Sequence, residues 1–325
     1  MSAQRASNPF SCLVFSCLVA IVVGLMAPAP GRAAEPLSIV ATTGMIGDAA
    51  ARVGGDRVTV KTLMGPGVDP HTYRQTRSDI AAMAAADAVL WHGLYLEAQL
   101  EEFFASLAKH KPVFAVAETL PEADLLQHDV YKGRYDPHVW MNPRLWEKVV
   151  VAIRDALTEL DPDGKALFDA NATAYIAEID GLAGYADGVL ATVPENARIL
   201  VTAHDAFNYF GRAYGFEVMG IQGISTESEA GLKQIEDLVG VLVDRKIGAI
   251  FIESSVSDRN VRALIEGAAA RGHEVVVGGE LFSDAMGAPG TYEGTYLGMI
   301  DHNVTTIARA LGGDALERGA SGRLA

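Results

Sequence analysis

The stretch Ala166-Leu-Phe-Asp-Ala170-Asn-Ala-Thr-Ala-Tyr175-Ile-Ala-Glu-Ile-Asp180-Gly-Leu-Ala-Gly-Tyr185-Ala-Asp-Gly-Val-Leu190, running on to Val193, decides the architecture. Leu167, Tyr175, Ile176, Ile179, Leu182, Tyr185, Val189 and Leu190 recur at helical spacing. Asp161-Pro-Asp-Gly164 ahead of them marks a turn or helix start. Gly181, Gly184 and Gly188 each weaken the helix without ending it. The whole interval from Pro143 to Val193 lacks a strand signal. A single helix of about 28 residues would be about 42 Å long, the height of two stacked lobes. The segment therefore predicts a stiff strut between lobes, unlike the flexible crossings of a hinge.

Outward from this strut the chain alternates. On its N-terminal side, Leu37–Thr43, Arg57–Leu63, Ala88–Trp91 and Val113–Val116 are short and rich in β-branched or apolar residues, as strands are. Met45 to Val53, Ser78 to Ala86 and Leu94 to Lys109 carry helical patterns. On its C-terminal side, strands at Arg198–Thr202, Ala249–Ile252 and Glu274–Val277 alternate with helices from about Ala206 to Tyr214, Glu229 to Lys246, Asp258 to Arg271 and Glu293 to Leu311. Alternation of this kind predicts an α/β fold of two β/α lobes with mainly parallel sheets, joined by the long rigid helix. The expected divisions are a lobe over 34–160, the connector over 161–195 and a second lobe over 196–325.

Residues 1–34 contain no Asp or Glu. Arg5 precedes an apolar run from Cys12 to Met26, and Ala27-Pro-Ala-Pro-Gly-Arg-Ala-Ala34 follows it. This is the layout of a secretory signal peptide, expected over 1–33 with cleavage after Ala33. Both cysteines, Cys12 and Cys17, lie inside it, and Val14-Phe-Ser16 before Cys17 makes a poor lipobox. A secreted chain without this segment would have neither disulfides nor thiolate chemistry. The signal peptide without a lipid anchor predicts a periplasmic protein. No later stretch is long and apolar enough to cross a bilayer.

The 325 residues carry 26 Lys+Arg against 41 Asp+Glu, a net charge of −15, and half of them are apolar. That balance excludes a disordered chain. It also speaks against nucleic-acid binding, which needs Lys and Arg to displace counterions from phosphates.

Three of the eight histidines stand out by setting. His71 in Gly65-Pro-Gly-Val-Asp-Pro-His71-Thr-Tyr73 and His138 in Tyr135-Asp-Pro-His138-Val-Trp-Met-Asn-Pro143 each follow Asp-Pro. Proline fixes its own φ and restricts the residue before it, so each imidazole sits on a stiff turn. His204 ends a predicted strand, and ligands of open α/β sheets gather at carboxyl ends of strands. Asp284, in Gly278-Gly-Glu-Leu-Phe-Ser-Asp284, follows another strand. Three neutral imidazoles and a carboxylate suit a borderline divalent cation. Spacing alone leaves this open, because the four lie too far apart for any compact metal motif. On spacing alone, two loop histidines, a helix-start histidine and a turn carboxylate fit equally well. Glu253, at a strand end, could orient a ligand imidazole, and His92, just after a strand, could act behind the ligands. His110 and His273 lie near helix ends, His302 within the last helix, and Asp205 reads as a helix N-terminal carboxylate.

The quoted loops, together with Thr202-Ala-His204-Asp-Ala-Phe-Asn-Tyr-Phe210 and Phe251-Ile-Glu-Ser-Ser255, carry a resemblance that spans the chain beyond the leader. The chain resembles the metal-binding solute receptors of bacterial ABC importers, the TroA-type family. The resemblance implies a β/α lobe on each side of a rigid helix, with a metal bound between them by His71, His138, His204 and Asp284. It implies a receptor, not an enzyme: a monomer that captures a divalent ion and hands it to an inner-membrane permease served by a separate ATPase. Release should need only a small rearrangement. The chain itself has no Walker A sequence.

Members of this family that take manganese often carry a carboxylate at the third ligand position, where this chain has His204. Members dedicated to zinc often carry a His- and acid-rich loop before the second ligand; here Leu120–Tyr135 contains only His128. The expected cargo is Zn2+, favoured by a His3Asp set, with Mn2+ next. Two alternatives remain at this stage. One is a zinc hydrolase, which would keep an open coordination position and lacks a His-Glu-x-x-His sequence here. The other is a metal-binding surface adhesin.

Overall fold

The computed structural model describes Met1, residues 35–128 and residues 131–325; the expected leader over 1–33 and its cleavage point lie outside them. Strands β1 (Leu37–Ala41), β2 (Val58–Thr62), β3 (Ala88–Trp91) and β4 (Val113–Ala115) form an all-parallel sheet in the order β2-β1-β3-β4. Helices α1 (Gly44–Gly54), α2 (Arg77–Ala85) and α3 (Glu101–Leu107) make the crossovers. Strand side chains alternate between faces. Ile39, Ala41 and Leu90 face the large core, whereas Val40 and Val89 face a smaller one with Met83, Leu100 and Phe104. A sheet covered on both faces explains why its central strands read as continuous apolar runs over Ile39–Ala41 and Ala88–Leu90.

In the second half, β5 (Ile199–His204) pairs with β6 (Glu217–Gln222), and β7 (Ala249–Glu253) pairs with β8 (Val276–Leu281), both parallel. β5 and β7 lie side by side. Helices α6 (Asn208–Tyr214), α7 (Leu232–Asp244), α8 (Arg259–Ala270) and α9 (Tyr296–Ala310) connect and cover them. Leu200 faces the large core, and Val201 joins Val239, Leu242, Val261 and Leu264 on the other side.

Between the sheets come α4 (Pro143–Leu160) and α5 (Lys165–Leu190), packed against each other. Asn142 caps α4 by accepting from the Arg144 amide, and Pro143 occupies the first helical position, where its missing N–H costs nothing. α5 packs on α1 from the first half and on α9 from the second. Its Phe168, Tyr175 and Ile179 enter the large core, which runs through both halves and through Trp140, Trp146 and Tyr296. Tyr175 donates to the half-buried Asp48 of α1 at 2.8 Å. Glu35–Ala325 forms one compact unit. Among the described residues, no helix is long and apolar enough to cross a membrane.

Three local expectations differ from the structure. β6 carries no strand assignment in the sequence reading. The helix expected over Leu94 to Lys109 shrinks to Glu101–Leu107 behind a short 3-10 turn, because Leu94 and Tyr95 take left-handed φ values of 55° and 70°. α6 starts only at Asn208, so Asp205 lies ahead of its first turn and not within it.

Candidate metal centre

Each candidate side chain sits just beyond a strand or on a braced loop. His204 is the last residue of β5, and Asp284 follows β8. His71 lies in the loop after β2, which turns at Gly67 (φ 70°); a Cβ there would come within 3.3 Å of the Ser254 carbonyl oxygen. His138 precedes α4 in a loop held from several sides. The Pro137 carbonyl oxygen meets His92 Nε2 at 2.7 Å, and Tyr209 donates to the Asp136 carbonyl oxygen at 2.9 Å. The Trp140 indole donates to the Ser283 carbonyl oxygen at 2.8 Å, which ties the His138 loop to the Asp284 loop.

These loops bring the four side chains together. One ligand-capable atom from each of His71, His138, His204 and Asp284 lies within 4.8 Å of all the others. His138 Nε2 is 3.3 Å from His71 Nε2 and 3.4 Å from His204 Nε2. Asp284 straddles the imidazoles, with Oδ1 at 3.4 Å from His138 Nε2 and Oδ2 at 3.3 Å from His204 Nε2. None of the four is more than 2% exposed.

Carboxylates behind the rings set which nitrogen faces the centre. Asp136 Oδ1 accepts from both the His138 amide (2.9 Å) and His138 Nδ1 (2.7 Å). Glu253 does the same for His204: Oε1 takes the amide at 2.8 Å and Oε2 takes Nδ1 at 2.5 Å. A carboxylate can only accept, so Nδ1 carries a proton in both rings, and once Nε2 gives up its own proton its lone pair points inward. Among the described contacts no carboxylate backs the His71 ring; Asp69 Oδ1 accepts from its amide at 2.9 Å.

The electrostatics are those of a site built for positive charge. Burial depresses the His71 imidazole to about 3. Burial alone would depress His138 too, but the Asp136 and Asp284 carboxylates outweigh it and hold that imidazole up at about 9. His204 is likewise raised, by Glu253 and Asp284 against burial. Asp284 would be raised by burial, yet His204 and His138 hold it well below the ordinary carboxylate range. Its buried Oδ1 has the His138 ring at 3.4 Å but no hydrogen bond among the described residues. A buried acceptor short of hydrogen bonds is costly unless a cation meets it, and once His138 gives up its proton a metal ion would be that cation. The donor set therefore fits a divalent cation.

The other singled-out residues fall as follows. Glu253 contacts a clustered imidazole directly, and His92 reaches one only through the backbone of Pro137. His273 Nε2 meets the Ile247 carbonyl oxygen and His302 Nε2 that of Glu280, away from the cluster. Asp136 and Asp69 add to the site, and the Asp-Pro-His tripeptide at both positions is their signal in the sequence.

A pair of parallel-sheeted β/α halves enclosing a buried three-imidazole, one-carboxylate cluster is the layout of a solute receptor for a cation. Residues 39–310 match the family described as "ZnuA: Zinc-uptake complex component A periplasmic". The chain is 46% identical over 277 residues to the zinc-binding protein TroA of Treponema pallidum, covering 85% of this chain and 89% of that protein. It is 44% identical over 282 residues to the manganese-binding lipoprotein MntA of Bacillus subtilis, covering 86% and 92%. The solved structure of the Treponema pallidum periplasmic zinc-binding protein superposes with a TM-score of 0.83, covering 85% of this chain and 99% of that one. The chain belongs to the ZnuA/TroA family: it is a substrate-binding protein of a metal ABC transporter. These relatives are transport proteins, and neither the hydrolase nor the adhesin alternative finds support among them.

Proposed function

We propose that His71, His138, His204 and Asp284 are the ligands of the transported ion, and that this ion is Zn2+ in preference to Mn2+. The convergence of the four donors within 4.8 Å in a buried site carries the reading. Three nitrogens and one carboxylate oxygen match tetrahedral zinc, and the ordinary affinity order places zinc above manganese at such a set. Manganese has one observation in its favour. Both oxygens of Asp284 face the imidazoles, so a bidentate carboxylate would offer the extra oxygen that Mn2+ prefers. The site is then a zinc site that also admits manganese.

Residues 34–160 and 196–325 act as the two metal-binding lobes and 161–195 as the connector. The protein works as a periplasmic monomer, freed by cleavage after Ala33, and delivers its ion to a permease that a separate ATPase drives. It carries out no chemistry of its own: four protein ligands close a tetrahedral sphere and leave no position for a reacting water. Because α5 packs on both α1 and α9, release proceeds with a small rearrangement. Solution scattering from metal-free and metal-loaded protein should nearly coincide, and marked compaction on loading would refute that point. Native mass spectrometry after loading with equimolar Zn2+ and Mn2+ tests the cargo. One zinc per chain is expected; one manganese in its place would overturn the preference.

A further inference from the structure

We propose that residues 223–231 are a strap that closes the metal site, latched by the hydrogen bond from Thr226 to Asp69, and that this latch sets how fast the ion leaves. The inference rests on the ligand assignment above.

The strap starts beside one ligand and ends on the neighbour of another. Gln222, at its root, is the strand partner of His204 in the β5–β6 register. Gln222 also reaches into the strap, donating to the Ser228 carbonyl oxygen at 3.3 Å. At the tip, Thr226 Oγ1 donates to Asp69 Oδ2 at 2.6 Å, across to the half that carries His71. Asp69 Oδ1 at the same time holds the His71 amide. A second tie runs from Gln99 Nε2 to Glu227 Oε1. The strap thus joins His204's strand neighbour to His71's amide acceptor, so opening it loosens the mounts of two ligands together.

The cavities on either side fit that role. A polar cavity of about 150 Å³ is lined by Asp69, Gln222, Thr226 and Ser255. The first two adjoin His71 and His204, and Ser255 Oγ lies 3.5 Å from Asp284 Oδ2. This cavity therefore touches the surroundings of three ligands, with the latch on its wall. A second cavity of about 260 Å³, between the strap and His128 and Tyr131, leaves room for the segment to lift. The four ligands are buried, so an ion must pass some movable element, and the strap is held across the cleft by two side-chain bonds only among those described.

The test measures release of Zn2+ from the purified, singly loaded protein into excess chelator by stopped flow. Thr226→Val keeps the shape and removes the donor; losing a hydrogen bond to a carboxylate should speed release about tenfold or more. Thr226→Ser, which keeps the donor, should release at the native rate. Gln99→Ala, which cuts the outer tie, should also speed release and keeps the test valid if Thr226→Val folds poorly. Association should quicken in the same variants, leaving affinity less changed than either rate. Native-rate release from both Thr226→Val and Gln99→Ala would overturn the strap, as would lost affinity arising from slower association alone. A His138→Ala control separates the two readings: native Zn2+ binding in it would sink the ligand assignment on which the strap rests, whereas lost binding in it together with native-rate release from Thr226→Val and Gln99→Ala would sink the strap alone.

Discussion

Replacing Glu253 by Gln removes one charge and one acceptor while keeping the shape. Glu253 serves two donors at once, the His204 amide at 2.8 Å and His204 Nδ1 at 2.5 Å. Glutamine has one oxygen and one NH2 to offer them. With the oxygen on the amide, the NH2 faces Nδ1 and forces that nitrogen to accept, which moves the proton to Nε2 and blocks the lone pair aimed at the ion. With the amide group turned over, the NH2 meets the backbone N–H, and two buried donors oppose each other. Either arrangement costs a hydrogen bond or the ligating tautomer. Losing such a support behind a ligand weakens metal binding by about 10- to 100-fold, or roughly 1.4–2.8 kcal/mol. Competition titration of Zn2+ between protein and a chelator near neutral pH reads the loss directly. Nitrogen-resolved NMR of His204 in the metal-loaded variant reads the tautomer. Native affinity together with a proton still on Nδ1 would show that Glu253 does not position this ring.

His138→Ala removes one of four ligands and should cost about 100-fold or more in Zn2+ affinity, a quarter of a site worth roughly 10–16 kcal/mol, with the circular dichroism spectrum unchanged. An unaltered titration would count against the ligand set. Metal affinity should rise with pH through neutrality and on through about 9, because binding must expel the protons that Asp136 and Asp284 keep on His138, and Glu253 and Asp284 on His204, against burial. Calorimetry in buffers of different ionisation heat should count the protons released from both imidazoles at neutral pH, and no release would refute the raised values. The same shift stabilises the metal-free fold fully below the unfolded histidine value near 6.5, and that contribution is lost as pH climbs through about 9; chemical denaturation at several pH values would show the decline. Tyr175→Phe leaves the half-buried Asp48 without its α5 donor, with the Tyr296 amide still donating to it, and should destabilise the fold by about 1 kcal/mol in denaturant melts; no change would mean that the α1–α5 junction does not depend on this bond.

Legibility along the chain followed the strength of local signals. α5 was readable because apolar residues recur along it with no proline, and its glycines carry no compensating turn signal. β1, β3 and β7 were readable because burial on both faces leaves unbroken apolar runs at Ile39–Ala41, Ala88–Trp91 and Ala249–Ile252. β6, Glu217-Val-Met-Gly-Ile-Gln222, has a glycine in its middle, and glycine weakens strand propensity. The structure gives that glycine a packing reason: a Cβ on Gly220 would lie 2.5 Å from the Asp205 amide nitrogen, in the turn leaving His204. The residue that hides the strand is the one that lets the ligand-bearing turn sit against it.

The two Asp-Pro-His tripeptides make the same point about the site. Local sequence makes them equivalent, and in both the aspartate accepts the histidine amide at 2.9 Å. Their remaining bonds diverge through residues far away in the chain. Asn208, beyond the turn after β5, donates to Asp136 Oδ2 at 3.2 Å, while Asp136 Oδ1 takes the His138 ring as well as its amide. Thr226 and Thr72 instead claim Asp69 Oδ2, and no carboxylate stands behind the His71 ring among the described contacts. One aspartate thus fixes a tautomer and the other fastens a loop. Tripeptide chemistry could announce two braced imidazoles, but which brace orients a ring and which ties the halves is decided by partners 72 and 157 residues away. That division also separates the expected phenotypes. Loss of Asp136 should act on affinity through the ring of His138, and loss of the Thr226 bond should act on the rates of entry and release.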